Sequence, residues 1–138
     1  MIMDQELMLM DNAAVTGATS VNGSEIDLGP IDPGAGEELW LNVLVRTTLS
    51  GNSVSTLSVI LQDDTATGMA SAATHDTVVM PAITAGTRKS IRISPGCNRF
   101  IRARTVADQI PTAGKLDVFI TKDAPYHEHK AKNYAVGQ

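Results

Sequence analysis

Residues 38–49 read "ELWLNVLVRTTL". Leu39, Leu41, Val43, Val45 and Leu49 share one parity, with Thr47 among them. Glu38, Trp40, Asn42, Leu44, Arg46 and Thr48 take the other. A period of two belongs to extended chain, where successive side chains point to opposite faces. The first set predicts a core face, and the second a mostly polar outer face that also carries Trp40 and Leu44.

The same habit recurs on both sides of this stretch. Leu57, Val59 and Leu61 alternate with Ser58, Ile60 and Gln62, and Leu116, Val118 and Ile120 alternate with Asp117, Phe119 and Thr121. Strands are expected near 6–16, 24–29, 38–49, 55–62, 76–81, 87–94, 99–107 and 115–122. Turn chemistry separates them: Asn22-Gly23, Asp32-Pro33-Gly34, Ser50-Gly51-Asn52, Ala85-Gly86, Pro95-Gly96-Cys97-Asn98 and Ala113-Gly114. Residues 63–75 are small and polar and are expected to form a loop. No segment carries sustained helical apolar spacing. The fold class that follows is all-β, a single-domain antiparallel β-sandwich of about eight strands with extended N- and C-terminal arms. Residues 1–125 form the domain with its N-terminal arm, and 126–138 a C-terminal arm.

At 138 residues one domain suffices, burying about 68–70% of its unfolded surface without a disulfide or metal. The single cysteine, Cys97, rules out an intrachain disulfide, fits a reducing compartment, and reads as a small residue at a hairpin end. The N-terminus lacks a basic region and a long apolar run, so neither a signal peptide nor a membrane contact is expected.

Charge is segregated. Residues 1–45 hold eight acids and no base, while 88–104 hold six bases and no acid, within a net charge of −4. Ile91 and Ile93 alternate with Ser90, Arg92 and Ser94. Ile101, Ala103 and Thr105 alternate with Phe100, Arg102, Arg104 and Val106. The expectation is a hairpin whose outer face carries Arg92, Arg102 and Arg104, with Arg88 at its start. Nucleic acid is not the expected partner, because the pI is near 5.2 and only Phe100 is available for stacking. An acidic protein surface is, with charge setting orientation.

Binding strength is expected from apolar side chains. Trp40, Leu44, Ile60 and Phe119 are read as one outer patch, either a contact surface or a face covered by the same chain. Met1, Met3, Met8 and Met10 suit an adaptable contact surface or a first-strand core. "YHEHK" at 126–130 places His127 and His129 on one side of extended chain but supplies too few ligands for zinc. His75 is assigned to a distant loop, and Asp63-Asp64 lacks calcium-loop spacing. No catalytic motif is present, so no enzyme, metal or cofactor is expected.

Five stretches in order add a resemblance: "EIDLG" (25–29), "GAGEELWLNVLV" (34–45), "LSVILQDD" (57–64), "TAGTRKSIRISPGCNRFIRARTV" (84–106) and "PTAGKLDVFITKD" (111–123). Their order resembles the jelly-roll cement, or decoration, proteins of tailed-bacteriophage capsids. Glu25, the Ser-Pro-Gly-Cys turn and the tail after Asp123 depart from that pattern. The resemblance implies a jelly roll without cofactor on the outer capsid surface of a virion, made in the host bacterial cytoplasm. Its partners would be the major capsid protein and itself, as homodimer or homotrimer at a symmetry axis. The alternative class is a β-sandwich module of a virion that binds a ligand or host receptor.

Overall fold

A computed structural model describes residues 8–28 and 39–121. Its strands are β1 (Met8–Ala14), β2 (Ser20–Asn22), β3 (Ile26–Asp27), β4 (Trp40–Ser50), β5 (Leu57–Asp64), β6 (Ala73–Val79), β7 (Arg88–Arg92), β8 (Phe100–Ala107) and β9 (Ala113–Thr121). They form two antiparallel sheets, ordered β1-β9-β4-β7 and β2-β8-β5-β6, with β3 also paired to β8. β5 and β6 form a hairpin, β2 and β3 share the β8 edge, and the other connections pass between sheets. This is the strand order of a jelly roll.

The alternation read from sequence sets the packing. Leu41, Val43, Val45, Leu57, Val59 and Leu61 are all essentially solvent-free, as are Leu116, Val118 and Ile120 from β9 and Ile101 and Ala103 from β8. The facing sheets close over these side chains, and each Val, Leu or Ile among them is worth about 1.5–3 kcal/mol relative to exposure. Ile93 lies just beyond β7 and is also core. Leu9 and Met10 bring β1 into it, so Met10 is a core residue rather than a contact one.

Several expectations change. The expected strand at 24–29 shortens to Ile26–Asp27, β3, and a short strand that was not expected, β2, precedes it on the same edge, which brings the count among the described residues to nine. The expected loop at 63–75 shrinks, because β5 runs through Asp63-Asp64 and β6 begins at Ala73, which puts His75 in a strand. Asp64 stabilises the tighter connection: its carboxylate accepts from the Ser71 and Ala66 amides at 2.8 and 3.2 Å. Ala113-Gly114 opens β9 instead of turning, with Gly114 at φ +147°.

The largest correction concerns the basic stretch. β7 pairs with β4 in one sheet and β8 with β5 in the other, so the two do not form a hairpin. Ile93 N–H donates to Leu39 O, which holds the end of the β7 run in the first sheet, and residues 93–99 arch across the sandwich edge. Alternation was right on each strand, but it carries no information about pairing partner. Cys97 accordingly sits in an inter-sheet arch.

Candidate protein-contact surfaces

The arch separates the basic residues. Arg88 and Arg92 stand opposite Leu44 and Trp40 on the four-stranded sheet. Arg102 and Arg104 stand opposite Gln62 and Ile60 on the five-stranded sheet. Trp40, Leu44 and Phe119 share the first outer face, and Ile60 lies on the other, so the four apolar residues are not one patch. Met1, Met3 and the 126–138 arm lie outside the described residues.

The outer face of the four-stranded sheet is largely closed along its central strands. Phe119, Asn42, Asp117 and Thr121 all have outward parity, yet none is more than 6% exposed. Phe119 lies between Met8 and Asn42 on flanking strands and is enclosed within the chain itself, so it offers no contact surface. Polar groups here are satisfied internally. Asn42 Nδ2 donates to Phe119 O and to Thr121 Oγ1, while Ser90 Oγ donates to Asn42 Oδ1 at 2.7 Å. Asp117 accepts from Asn12 N at 2.6 Å and from Arg46 Nη1 at 2.7 Å. Such saturation lets a polar row stay buried without the penalty of unpaired groups. Trp40 and Leu44 are half-buried beside it, and Met8 is half-buried at the edge.

The five-stranded sheet is different. Val79 and Val106 both pair with Ser58, from its two sides, and are 60% and 37% exposed. Ile60, half-buried, follows on the same face between Thr77 and Arg104. Arg102 Nε donates to Gln62 Oε1 at 2.8 Å, which holds that side chain along the strand. Ile60, Arg102 and Arg104 were expected as contact residues, and the valines were not. Outward parity marks Val106, but only the β5–β6 and β5–β8 registers reveal that it neighbours Val79.

The edge where the arch meets the β5–β6 hairpin is a dense polar cluster. Asp76 accepts from both the amide and hydroxyl of Ser94, each at 2.9 Å, and Asp63 Oδ2 accepts from Asn98 N at 2.9 Å. His75 Nε2 lies 2.7 Å from Ser94 O. Glu25, from the β2–β3 junction, accepts from Gly68 N and Thr67 Oγ1 and ties down the hairpin loop. The Asp63-Asp64 pair thus serves as backbone acceptors, a role that spacing along the chain does not disclose.

A family profile described as Bbp16 matches residues 9–120, most of the chain and all of its described strands but the ends. The chain belongs to the Bbp16 family. No curated protein matches this Bbp16-family chain. Among solved structures, the dimeric latent PorU of Porphyromonas gingivalis is similar at 12% identity and a TM-score of 0.45. The likeness covers 87% of this chain but only 12% of that one, so the chain spans a small part of PorU's length.

Proposed function

We propose that this Bbp16-family chain is a structural, non-enzymatic capsid decoration protein. It binds the outer surface of a bacteriophage head, bridges major capsid subunits and associates with its own copies there. The observation that carries the reading is an agreement between sequence and topology. The stretches that resemble cement proteins supply β3, β4, β5, β7 with the arch and β8, and β9, in the strand order of the jelly roll which that resemblance implies.

The contact face we assign is the outer face of the five-stranded sheet. Val79, Val106 and Ile60 provide its apolar centre, with Arg102 and Arg104 beside them. An apolar centre with a charged rim is the usual anatomy of a protein–protein contact. A carbohydrate- or receptor-binding module would favour solvent-facing aromatics. Among the described residues Phe119 is buried, and Trp40 and Phe100 are half-buried.

The test adds full-length protein to undecorated shells and measures occupancy by electron microscopy. Wild type should saturate. Val79→Asp combined with Val106→Asp should stay folded and lose occupancy at least tenfold at equal concentration. Saturation by this variant would overturn the assigned face, and failure of wild type to bind shells would overturn the function.

A further inference from the structure

Asp63, His75 and Cys97 come from three different places: the end of β5, the start of β6 and the inter-sheet arch. Their ligating atoms nevertheless lie within 4.8 Å of one another. Asp63 and Cys97 are buried, and His75 keeps 13% of its side chain exposed. No spacing along the chain would have joined them, which is why no metal was expected.

Each residue is aimed by backbone structure. β5 and β6 pair Leu61 with Asp76 but Gln62 with Thr74, so His75 is the extra residue of a β-bulge. A bulge re-aims the side chain it carries. Gly96, at φ +89°, turns the arch just before Cys97. Asn98 N–H on Asp63 and Ser94 on Asp76 fix the arch on either side of the cysteine.

The histidine's hydrogen bonding defines what the cluster needs. Ser94 O can only accept, so the 2.7 Å contact requires a proton on His75 Nε2. In the neutral ring this leaves the Nδ1 lone pair facing Asp63 Oδ2 at 3.4 Å, with the Cys97 sulfur close by. Two acceptors facing each other need something between them, either a donor such as the nearby thiol or a metal ion. Donation of the other ring N–H to a backbone carbonyl is the common outer-shell arrangement of a metal-bound imidazole.

We propose that Asp63, His75 Nδ1 and Cys97 Sγ form a site for a zinc-type divalent ion. The mixed oxygen, nitrogen and sulfur set suits a borderline-soft metal, not magnesium or calcium. Bonds of about 2.0–2.3 Å to one tetrahedral ion place ligand atoms roughly 3.3–3.8 Å apart. The cluster therefore reaches coordination by closing about 1 Å, within side-chain adjustment. Binding releases the thiol proton as the metal–sulfur bond forms. The bound ion staples the inter-sheet arch to the β5–β6 hairpin, and its fourth position is left for water or an incoming ligand.

The test uses full-length protein, stripped with chelator and titrated first with Co²⁺ and then with Zn²⁺. Wild type should develop thiolate-to-cobalt charge-transfer absorption that saturates at one ion per chain and is displaced by zinc. Zinc should raise its thermal midpoint. Cys97→Ser, a nearly isosteric change, should remain folded without metal and lose both the absorption and the zinc-induced rise. His75→Gln should do the same, whereas His127→Ala with His129→Ala should keep both. Absence of the band in wild type would overturn the proposal. So would a zinc response shared equally by wild type and Cys97→Ser, or one abolished by the His127/His129 changes.

Discussion

Arg99 and Asp27 hold each other through two parallel hydrogen bonds, Nε to Oδ1 at 2.7 Å and Nη2 to Oδ2 at 2.8 Å. Arg99 belongs to the basic stretch and Asp27 to the acidic third of the chain. Some of the charge segregation visible in the sequence is therefore resolved within one molecule. The pair pins β3 to the start of β8, where Leu28 N–H also donates to Arg99 O. The guanidinium lies 5.2 Å from the Phe100 ring centroid as well. Both partners are nearly half exposed, so salt screens the attraction. Asp27→Asn should lower the thermal midpoint slightly at low salt and leave it unchanged in concentrated salt. A large loss at both salts would show that β3 holds the fold in a way this ion pair does not describe.

Gly114 offers a sharper stability test. Its φ of +147° lies in a region that side-chain-bearing residues avoid, and a Cβ there would meet Leu49 Cγ at 2.8 Å. Leu49 is 2% exposed, so it would have to give way inside the core. Gly114→Ala should therefore cost about 1–3 kcal/mol through backbone strain and overpacking. Chemical denaturation would read this as a lower midpoint at unchanged slope. A neutral result would mean that β9 begins differently.

Two carboxylates set the acid limb of stability. Asp108 accepts from Ser55 N, Thr56 N and Ser55 Oγ at 2.9, 3.1 and 2.7 Å, which holds its carboxyl far below the usual range. The Ser71 and Ala66 amides depress Asp64 in the same direction. Both folded values lie below the unfolded ones. Their contribution is complete above the ordinary aspartate value near pH 3.9 and is lost as pH falls through the folded values. The thermal midpoint should be flat around neutrality and drop below about pH 4. Asp108→Asn should lower the neutral plateau and flatten that drop. An unchanged acid profile in this variant would remove Asp108 from the account.

Alternation made the core legible. Val43, Val45 and Leu61 could be placed inside because a one-residue slip would have put polar side chains there. Pairing was not legible, since Ile91 and Ile101 carry equivalent patterns on strands of different sheets. Outward parity also says nothing about cover. Asn42 and Phe119 share a face and a cross-strand row, and both are buried. The cluster of Asp63, His75 and Cys97 depends on a bulge and an arch, features with no local signature in composition. The resemblance in stretch order carried the functional reading, whereas only the strand registers could sort its arginines onto two faces.

That sorting gives the assigned contact face its most direct test. Arg104 and Arg102 follow the exposed valines along the same face, whereas Arg88 and Arg92 stand on the opposite side of the sandwich. Charges at a contact rim act mainly on encounter rate and orientation, and each exposed pair contributes only about 0–1 kcal/mol. Arg102→Glu with Arg104→Glu should therefore slow decoration of acidic shell surface and reduce occupancy by about tenfold at moderate salt. The deficit should narrow as salt rises, because the like charges introduced are screened. Arg88→Glu with Arg92→Glu should decorate like wild type. Both variants should keep the wild-type thermal midpoint within a few degrees, which separates a binding defect from a folding one. A loss confined to the Arg88/Arg92 pair would move the contact to the four-stranded sheet. Unimpaired occupancy in both variants would leave the arginines with no part in recognition.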